Sequence, residues 1–268
     1  MLNAAFLITF REGLEAAVLV GILLSALRFF NAQKKSFVIW SGVGAGIVAS
    51  FLFAWVFTVF TSGFEGVNEK VYEGILMFAA AGIIIHMVFW MKKYAANIRE
   101  KLTKKVELSI TNNDLWSLGA LAMVSVMREG IETVIFMKAL IVQSETSNAI
   151  VSGALGIIAA VSLAVIIFTG LKKLPLKKFF HFTSLFLIFV AAGLLAHGIV
   201  EFQGAKWIPT FIKPLYDLSP ILSEKEGLGA ILKALFGYDA NPSLIAVVVY
   251  NLALGGLLWG FMRKNASK

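Results

Sequence analysis

Seven apolar stretches dominate this 268-residue chain: residues 2–27, 37–61, 71–91, 116–142, 149–170, 179–201 and 243–262. Each approaches or exceeds the ~20 residues that a helix needs to cross ~30 Å of hydrocarbon. Inside lipid the backbone must satisfy its own polar groups, so stretches this long are expected as helices. The composition agrees, with 59% hydrophobic and 15% charged residues, against about 45–50% and about 25% in soluble domains. That balance excludes a soluble globular enzyme, a disordered chain and a nucleic-acid binder. The chain has no cysteine, which excludes disulfides, zinc–thiolate sites, iron–sulfur clusters and thiol catalysis. It has no glycine-rich phosphate loop, so no use of ATP is expected. The first stretch lacks a basic leading region and carries charges, and is therefore expected to stay as a helix rather than be cleaved as a signal peptide.

The basic residues alternate by connection. The first has Arg28, Lys34 and Lys35; the third has Lys92, Lys93, Arg99, Lys101, Lys104 and Lys105. The fifth has Lys172, Lys173, Lys177 and Lys178, and the tail has Arg263, Lys264 and Lys268. The second has only Lys70 and the fourth none. By the positive-inside rule this places the N-terminus outside and the C-terminus in the cytoplasm, and favours an odd number of spans. The expected fold is thus an all-α integral membrane protein of seven transmembrane helices, forming one domain over 1–268. Residues 92–115 are expected as a cytoplasmic loop, 202–242 as an external segment with short interfacial helices, and 243–262 as helix seven.

The chain also repeats itself. Phe10-Arg-Glu-Gly-Leu-Glu15 recurs as Met127-Arg-Glu-Gly-Ile-Glu132, an offset of 127 − 10 = 117. Ala80-Ala-Gly-Ile-Ile-Ile-His86 recurs as Ala191-Ala-Gly-Leu-Leu-Ala-His197, an offset of 191 − 80 = 111. These matches imply a duplicated three-helix unit, about 1–91 and about 116–201. Three is odd, so the copies are expected to enter the membrane from opposite sides. That is an inverted repeat, an architecture common in secondary transporters, with sites near the bilayer midplane.

The repeated motif carries the chemistry. Arg11, Glu12 and Glu15 fall inside helix one; Arg128, Glu129 and Glu132 fall inside helix four. A charge at a helix centre costs ~2.5–3.5 kcal/mol on insertion scales, so all six are expected to face the interior and one another. Glu12 and Glu15, like Glu129 and Glu132, are three residues apart and share a helix face, and each arginine stands four residues before a glutamate. Gly13 and Gly130 remove bulk, which is expected to let helix one approach helix four. Four carboxylates and two guanidiniums leave a formal charge of −4 + 2 = −2. All-oxygen ligation suits hard cations such as ferric iron, Mg²⁺, Ca²⁺ and Mn²⁺. The alternative is two buried Arg–Glu pairs that only lock helix one to helix four.

Arg-Glu-Gly-Leu-Glu at 11–15 and Arg-Glu-Gly-Ile-Glu at 128–132, in the first and fourth of seven helices, resemble the paired R-E-x-x-E motifs of the FTR1-type high-affinity iron permeases. The resemblance covers essentially the whole chain. It implies inward iron transport across the cell membrane, with iron (Fe³⁺ or Fe²⁺) as cargo and no prosthetic group. It implies Glu12, Glu15, Glu129 and Glu132 as metal-handling carboxylates and Arg11 and Arg128 as motif arginines. It also implies a separate extracytoplasmic iron-binding or iron-oxidising partner protein. Manganese or lead remains an alternative cargo.

Three residues are secondary candidates. His86 and His197 are repeat-related imidazoles, suited to binding iron or shuttling protons, or to bonding between packed helices. Glu73 opens helix three, either in an outer cation-collecting site with Glu65 and Glu69 or as a solvated helix N-terminus. Besides a permease, the residues leave open a membrane di-iron enzyme, a proton or small-cation carrier and a structural scaffold. Di-iron sites use Glu-x-x-His pairs; neither Glu15 nor Glu132 has a histidine three residues on, so the chain is not expected to be an enzyme.

Overall fold

A computed structural model describes residues 4–94, 98–144, 149–169, 176–224 and 227–263. Nine α-helices occur among them: α1 (Ala4–Phe29), α2 (Ser36–Thr61), α3 (Val67–Tyr94), α4 (Ile98–Thr111), α5 (Trp116–Ser144), α6 (Ala149–Phe168), α7 (Leu176–Gly204), α8 (Gly227–Phe236) and α9 (Leu244–Arg263). No strand occurs among the described residues. Five helical segments are long and apolar enough to cross a membrane: Gln33–Thr61, Val67–Met91, Ala149–Phe168, Phe180–Gly204 and Leu244–Arg263. The α1 and α5 helices have 26 and 29 residues. They are the two that carry the charged motifs, which is why apolarity alone does not single them out.

The helices pair crosswise. The most extensive contacts are α1 with α6, α2 with α5, and α3 with α7; α9 lies against α7, and α1 also touches α5. Small residues make this possible, because association in lipid rests on close packing rather than on a hydrophobic drive. A Cβ on Gly42 of α2 would stand 2.2 Å from the Gly119 carbonyl oxygen of α5, and one on Gly46 would stand 2.7 Å from that of Met123. On the other pair, a Cβ on Gly156 of α6 would stand 2.5 Å from the Phe6 carbonyl oxygen of α1. Thr9 Oγ1 donates across this contact to the Gly153 carbonyl at 2.9 Å. Gly13 and Gly130 do not face each other, contrary to the expectation from sequence. A Cβ on Gly13 would meet Ala160 of α6 at 3.0 Å, and one on Gly130 would meet Ser50 of α2. The reason is helical phase: the glutamates take the α1–α5 face, so the residue between them turns toward the neighbouring helix.

The outward faces of α2 and α6 keep large apolar side chains exposed, among them Phe51, Trp55, Phe60, Ile150, Ile158 and Val165. Those faces suit hydrocarbon rather than water.

Two segments read as connections are structured. Within 92–115, α4 forms because Leu102 and Val106 lie one turn apart and bury against a cluster that includes Leu23 and Leu27 of α1. Within 202–242, α8 is joined by backbone bonds that tie two extended stretches together: Leu215 N to Pro242 O at 2.9 Å, Leu218 N to Ala240 O at 2.9 Å, and Leu244 N to Ile212 O at 3.1 Å. Gly237 follows α8 at φ +67°, and a Cβ there would fall 2.3 Å from Gly193 Cα of α7. Only glycine satisfies both the left-handed turn and that approach.

Gly42→Ala should force α2 away from α5, since backbone rather than a flexible side chain blocks the new methyl. Overpacking of this kind costs about 1–3 kcal/mol. The expected result is a lowered thermal unfolding temperature in detergent, with Gly44→Ala, whose Cβ meets nothing within 4 Å, leaving it unchanged or slightly raised.

Candidate metal centre

The α1–α5 contact brings the two motifs together inside the bundle. Carboxylate oxygens of Glu12, Glu15 and Glu129 all lie within 4.8 Å of one another. Glu132 stands at the edge of this trio, close enough to act electrostatically on Glu12 and Glu15. The burial is extreme for ionisable groups: the Arg11 side chain is 0% exposed, Glu12 1%, Glu15 9% and Glu132 11%.

The two arginines hold the cluster differently. Arg11 Nη1 donates to Glu12 Oε1 at 3.2 Å and also touches Met87 Sδ of α3. Its Nη2 lies 3.0 Å from Glu15 Oε1, an ion pair by distance. That contact is not aligned as a hydrogen bond, so both atoms keep unused bonding capacity. Arg128 Nε donates to Glu132 Oε1 at 2.8 Å, and its guanidinium lies over the Trp90 ring, 5.0 Å from the centroid. The Arg128 side chain is 39% exposed. So one arginine is sealed in and the other stands at a rim, although their sequence contexts are nearly the same.

One oxygen on each of Glu12, Glu15, Glu129 and Glu132 is buried with no hydrogen-bond partner. An unpaired buried charged acceptor costs more than the ~1–3 kcal/mol of a neutral one. Two guanidiniums do not neutralise four carboxylates, and three of the four carboxylates, Glu12, Glu15 and Glu129, stand together. A hard cation would meet both deficits, of charge and of bonding.

The secondary candidates do not join this cluster. His86 is exposed on the bundle surface, whereas its repeat mate His197 lies at the other end of the pair, lining a cavity under the 205–243 segment. Glu73 faces Glu201 of α7 and Glu69, and Lys70 Nζ pairs with Glu201 Oε2 at 3.2 Å. Glu65 shows no part in that group among the described contacts. Sequence reading missed Glu201, because its repeat mate is Trp90 (201 − 111 = 90) and the match gave no signal there. It also missed Met87 and Trp90 as the arginines' partners; their three-residue spacing on α3 was the only clue. In the 205–243 segment, Glu224 binds Lys233 Nζ at 2.7 Å and Ala240 N at 2.6 Å. Burial opposes ionisation of Glu224, but the Lys233 ammonium holds its carboxyl below the usual range. Asp239 is pushed above its usual range, by burial first and by facing Glu224.

The geometry and the motifs meet in the comparisons with known proteins. Residues 2–262 match the Iron permease FTR1 family. The chain belongs to that family. It is 34% identical to the ferrous iron permease EfeU of Yersinia pestis over 251 residues, 93% of this chain and 89% of the relative. It is also 34% identical to the ferrous iron permease EfeU of Escherichia coli O6:K15:H31 over 260 residues, 96% of this chain and 94% of the relative. No solved structure matches significantly. As a family member with several helices able to cross a bilayer, the chain is a multi-pass cell-membrane permease for iron.

Removing the sealed arginine should hurt more than removing the rim arginine. Arg11→Ala leaves Glu12 and Glu15 without their cation, a loss of about 3–5 kcal/mol for a broken buried pair. Arg128→Ala should cost clearly less, because its side chain is already 39% outside the packed interior. Thermal unfolding of the two purified variants in one detergent checks the order.

Proposed function

We propose that this permease carries iron inward through a site at the bilayer midplane, with Glu12, Glu15, Glu129 and Glu132 as direct ligands. The observation that carries the reading is the trio of Glu12, Glu15 and Glu129 carboxylates inside the bundle, with Glu132 beside it and one oxygen on each of the four lacking a hydrogen bond. The relatives' description as ferrous iron permeases accords with iron as the cargo. A carboxylate site also accepts Mn²⁺, so metal competition belongs in the assay. The arginines limit the negative charge, which keeps the ion from being held too tightly to leave.

The reading includes seven spans, with α1 and α5 crossing alongside the five apolar segments, and two inverted copies related by a pseudo-twofold axis. The glycine contacts support it. Gly46 meets Met123 while Gly156 meets Phe6, and Gly130 meets Ser50 while Gly13 meets Ala160. Exchanging the copies converts each contact into its mate: 123 − 6 and 130 − 13 are both 117, and 156 − 46 and 160 − 50 are both 110. In this reading 92–115 is cytoplasmic and 202–242 external, and an extracytoplasmic protein delivers the metal. An inside-negative potential supplies ~2.3 kcal/mol per charge per 100 mV, so about 5–7 kcal/mol for a di- or trivalent ion.

Iron uptake into proteoliposomes tests the site. Glu15→Gln and Glu132→Gln should abolish uptake while the protein still folds, because glutamine keeps the size but loses the charge. Glu→Asp at either position should leave weakened transport. Restoration of uptake by the double change Arg11→Gln with Glu15→Gln would show that Glu15 serves only to hold Arg11, and would sink its role as ligand. Orientation has its own test. A cysteine placed at 222–224 should react with an impermeant reagent from outside and one at 100–105 should not; the reverse pattern overturns the topology.

A further inference from the structure

The two arginines bind carboxylates of different standing. Glu12 and Glu15, the partners of Arg11, belong with Glu129 to the trio whose oxygens lie within 4.8 Å of one another. Glu132, the partner of Arg128, is outside that trio. Arg128 Nε donates to Glu132 Oε1 at 2.8 Å, which holds this carboxylate at the edge. The other oxygen of Glu132, Oε2, is buried and has no hydrogen-bond partner. An ion that takes Glu132 as a ligand therefore competes with Arg128 for the same negative charge.

That exchange is unfavourable unless Arg128 keeps another partner, because a guanidinium stripped of its carboxylate inside a bundle is strongly destabilising. Glu132, Glu129 and Glu15 are the carboxylates that face Arg128, and all three are ligands in the reading above. Among the described polar and ring contacts of Arg128, the ion leaves one unclaimed: the Trp90 ring, whose centroid lies 5.0 Å from the guanidinium carbon. Tryptophan presents the aromatic face that attracts a cation best. That face pulls harder on a cation that no carboxylate neutralises, so its hold grows as Glu132 departs. Arg11 lacks this alternative. It is bound to Glu12 and Glu15, and its neighbour on α3 is the thioether of Met87, a weak acceptor. With 0% of its side chain exposed against 39% for Arg128, it is the fixed cation of the two.

We propose that Trp90 is a positioning residue for the carboxylate centre: its ring retains the Arg128 guanidinium and so frees Glu132 to close on the ion as the fourth ligand. When no ion is bound, Arg128 stands in for the metal at Glu132. When the ion is bound, the ring stands in for Glu132 at Arg128. The closure on the ion rests on the permease reading above; the hold of the ring on Arg128 without the Glu132 charge does not.

Two measurements on the full chain test this, both with a fluorinated tryptophan incorporated in place of Trp90 alone. In nanodiscs without metal, the ¹⁹F resonance of 5-fluorotryptophan there should move when Arg128→Gln is added to the Glu132→Gln chain, since the guanidinium still lies on the ring. Coincident resonances in the Glu132→Gln chain with and without Arg128→Gln overturn the hold. In proteoliposomes, Trp90→Leu should raise the half-saturating Fe²⁺ concentration about three- to tenfold, with a smaller change in the maximal rate. Fluorination weakens the negative face of the ring while keeping its shape. The half-saturating concentration should therefore climb stepwise from monofluoro- to tetrafluorotryptophan, toward the Trp90→Leu value. This series decides the matter even where Trp90→Leu misfolds: if the ring only fills space, the fluorinated chains match the wild type, and that result overturns the proposal. A chain that carries no iron yet shows the ¹⁹F shift supports the hold of Trp90 on Arg128 and removes the permease reading.

Discussion

Everything in this structure is arranged around charges that water does not solvate. Arg11 is the largest fully buried side chain described in the protein, and three glutamates stand against it or one another inside an apolar bundle. Isolated, each would be costly enough to shift the fold. Together they set the terms for their surroundings: α1 and α5 must touch along the glutamate face, and the glycines between the charges are left for the partners on either side. The crosswise pairing of α1 with α6 and of α2 with α5 follows from that division of faces.

The departure from symmetry is as informative as the symmetry. A single face of α3 serves both arginines, with Met87 at Arg11 and Trp90, three residues on, beneath Arg128. The corresponding positions of α7 are Gly198 and Glu201, which offer neither sulfur nor ring. Both cations are therefore anchored from the same helix. The Arg11 guanidinium is sealed, while that of Arg128 stands at a half-open rim. The two motifs are alike in sequence, and the different residues of α3 and α7 make their surroundings unequal.

The charged cluster was legible in the sequence because its cost in lipid leaves few arrangements. Charge, spacing and recurrence name Glu12, Glu15, Glu129 and the i,i+4 pairings of both arginines before any coordinates. What was not legible depends on helical phase and on contacts between helices. Gly13 and Gly130 read as spacers between helix one and helix four, yet a rotation of one residue turns them to α6 and α2. The α4 helix hid in a basic connection because only two buried residues, Leu102 and Val106, declare its apolar stripe. The folding of the 205–243 segment gave no signal, since nothing in a linear reading says which end of which helix a forty-residue segment will fold back upon.

The crosswise pairing bears on how the chain is made. Glu12 precedes Glu129 by 129 − 12 = 117 residues, and α6, the main partner of α1, comes later still. At a synthesis rate of about 5–20 residues per second, α1 waits roughly 6–23 s for the first of these partners. During that interval the only charged partners of Arg11, Glu12 and Glu15 are one another, held by the intrahelical contacts of a single turn. The Arg–Glu spacing within the motif thus serves nascent chains as well as mature ones: it gives the first helix a provisional charge balance until the second half of the protein arrives to complete it.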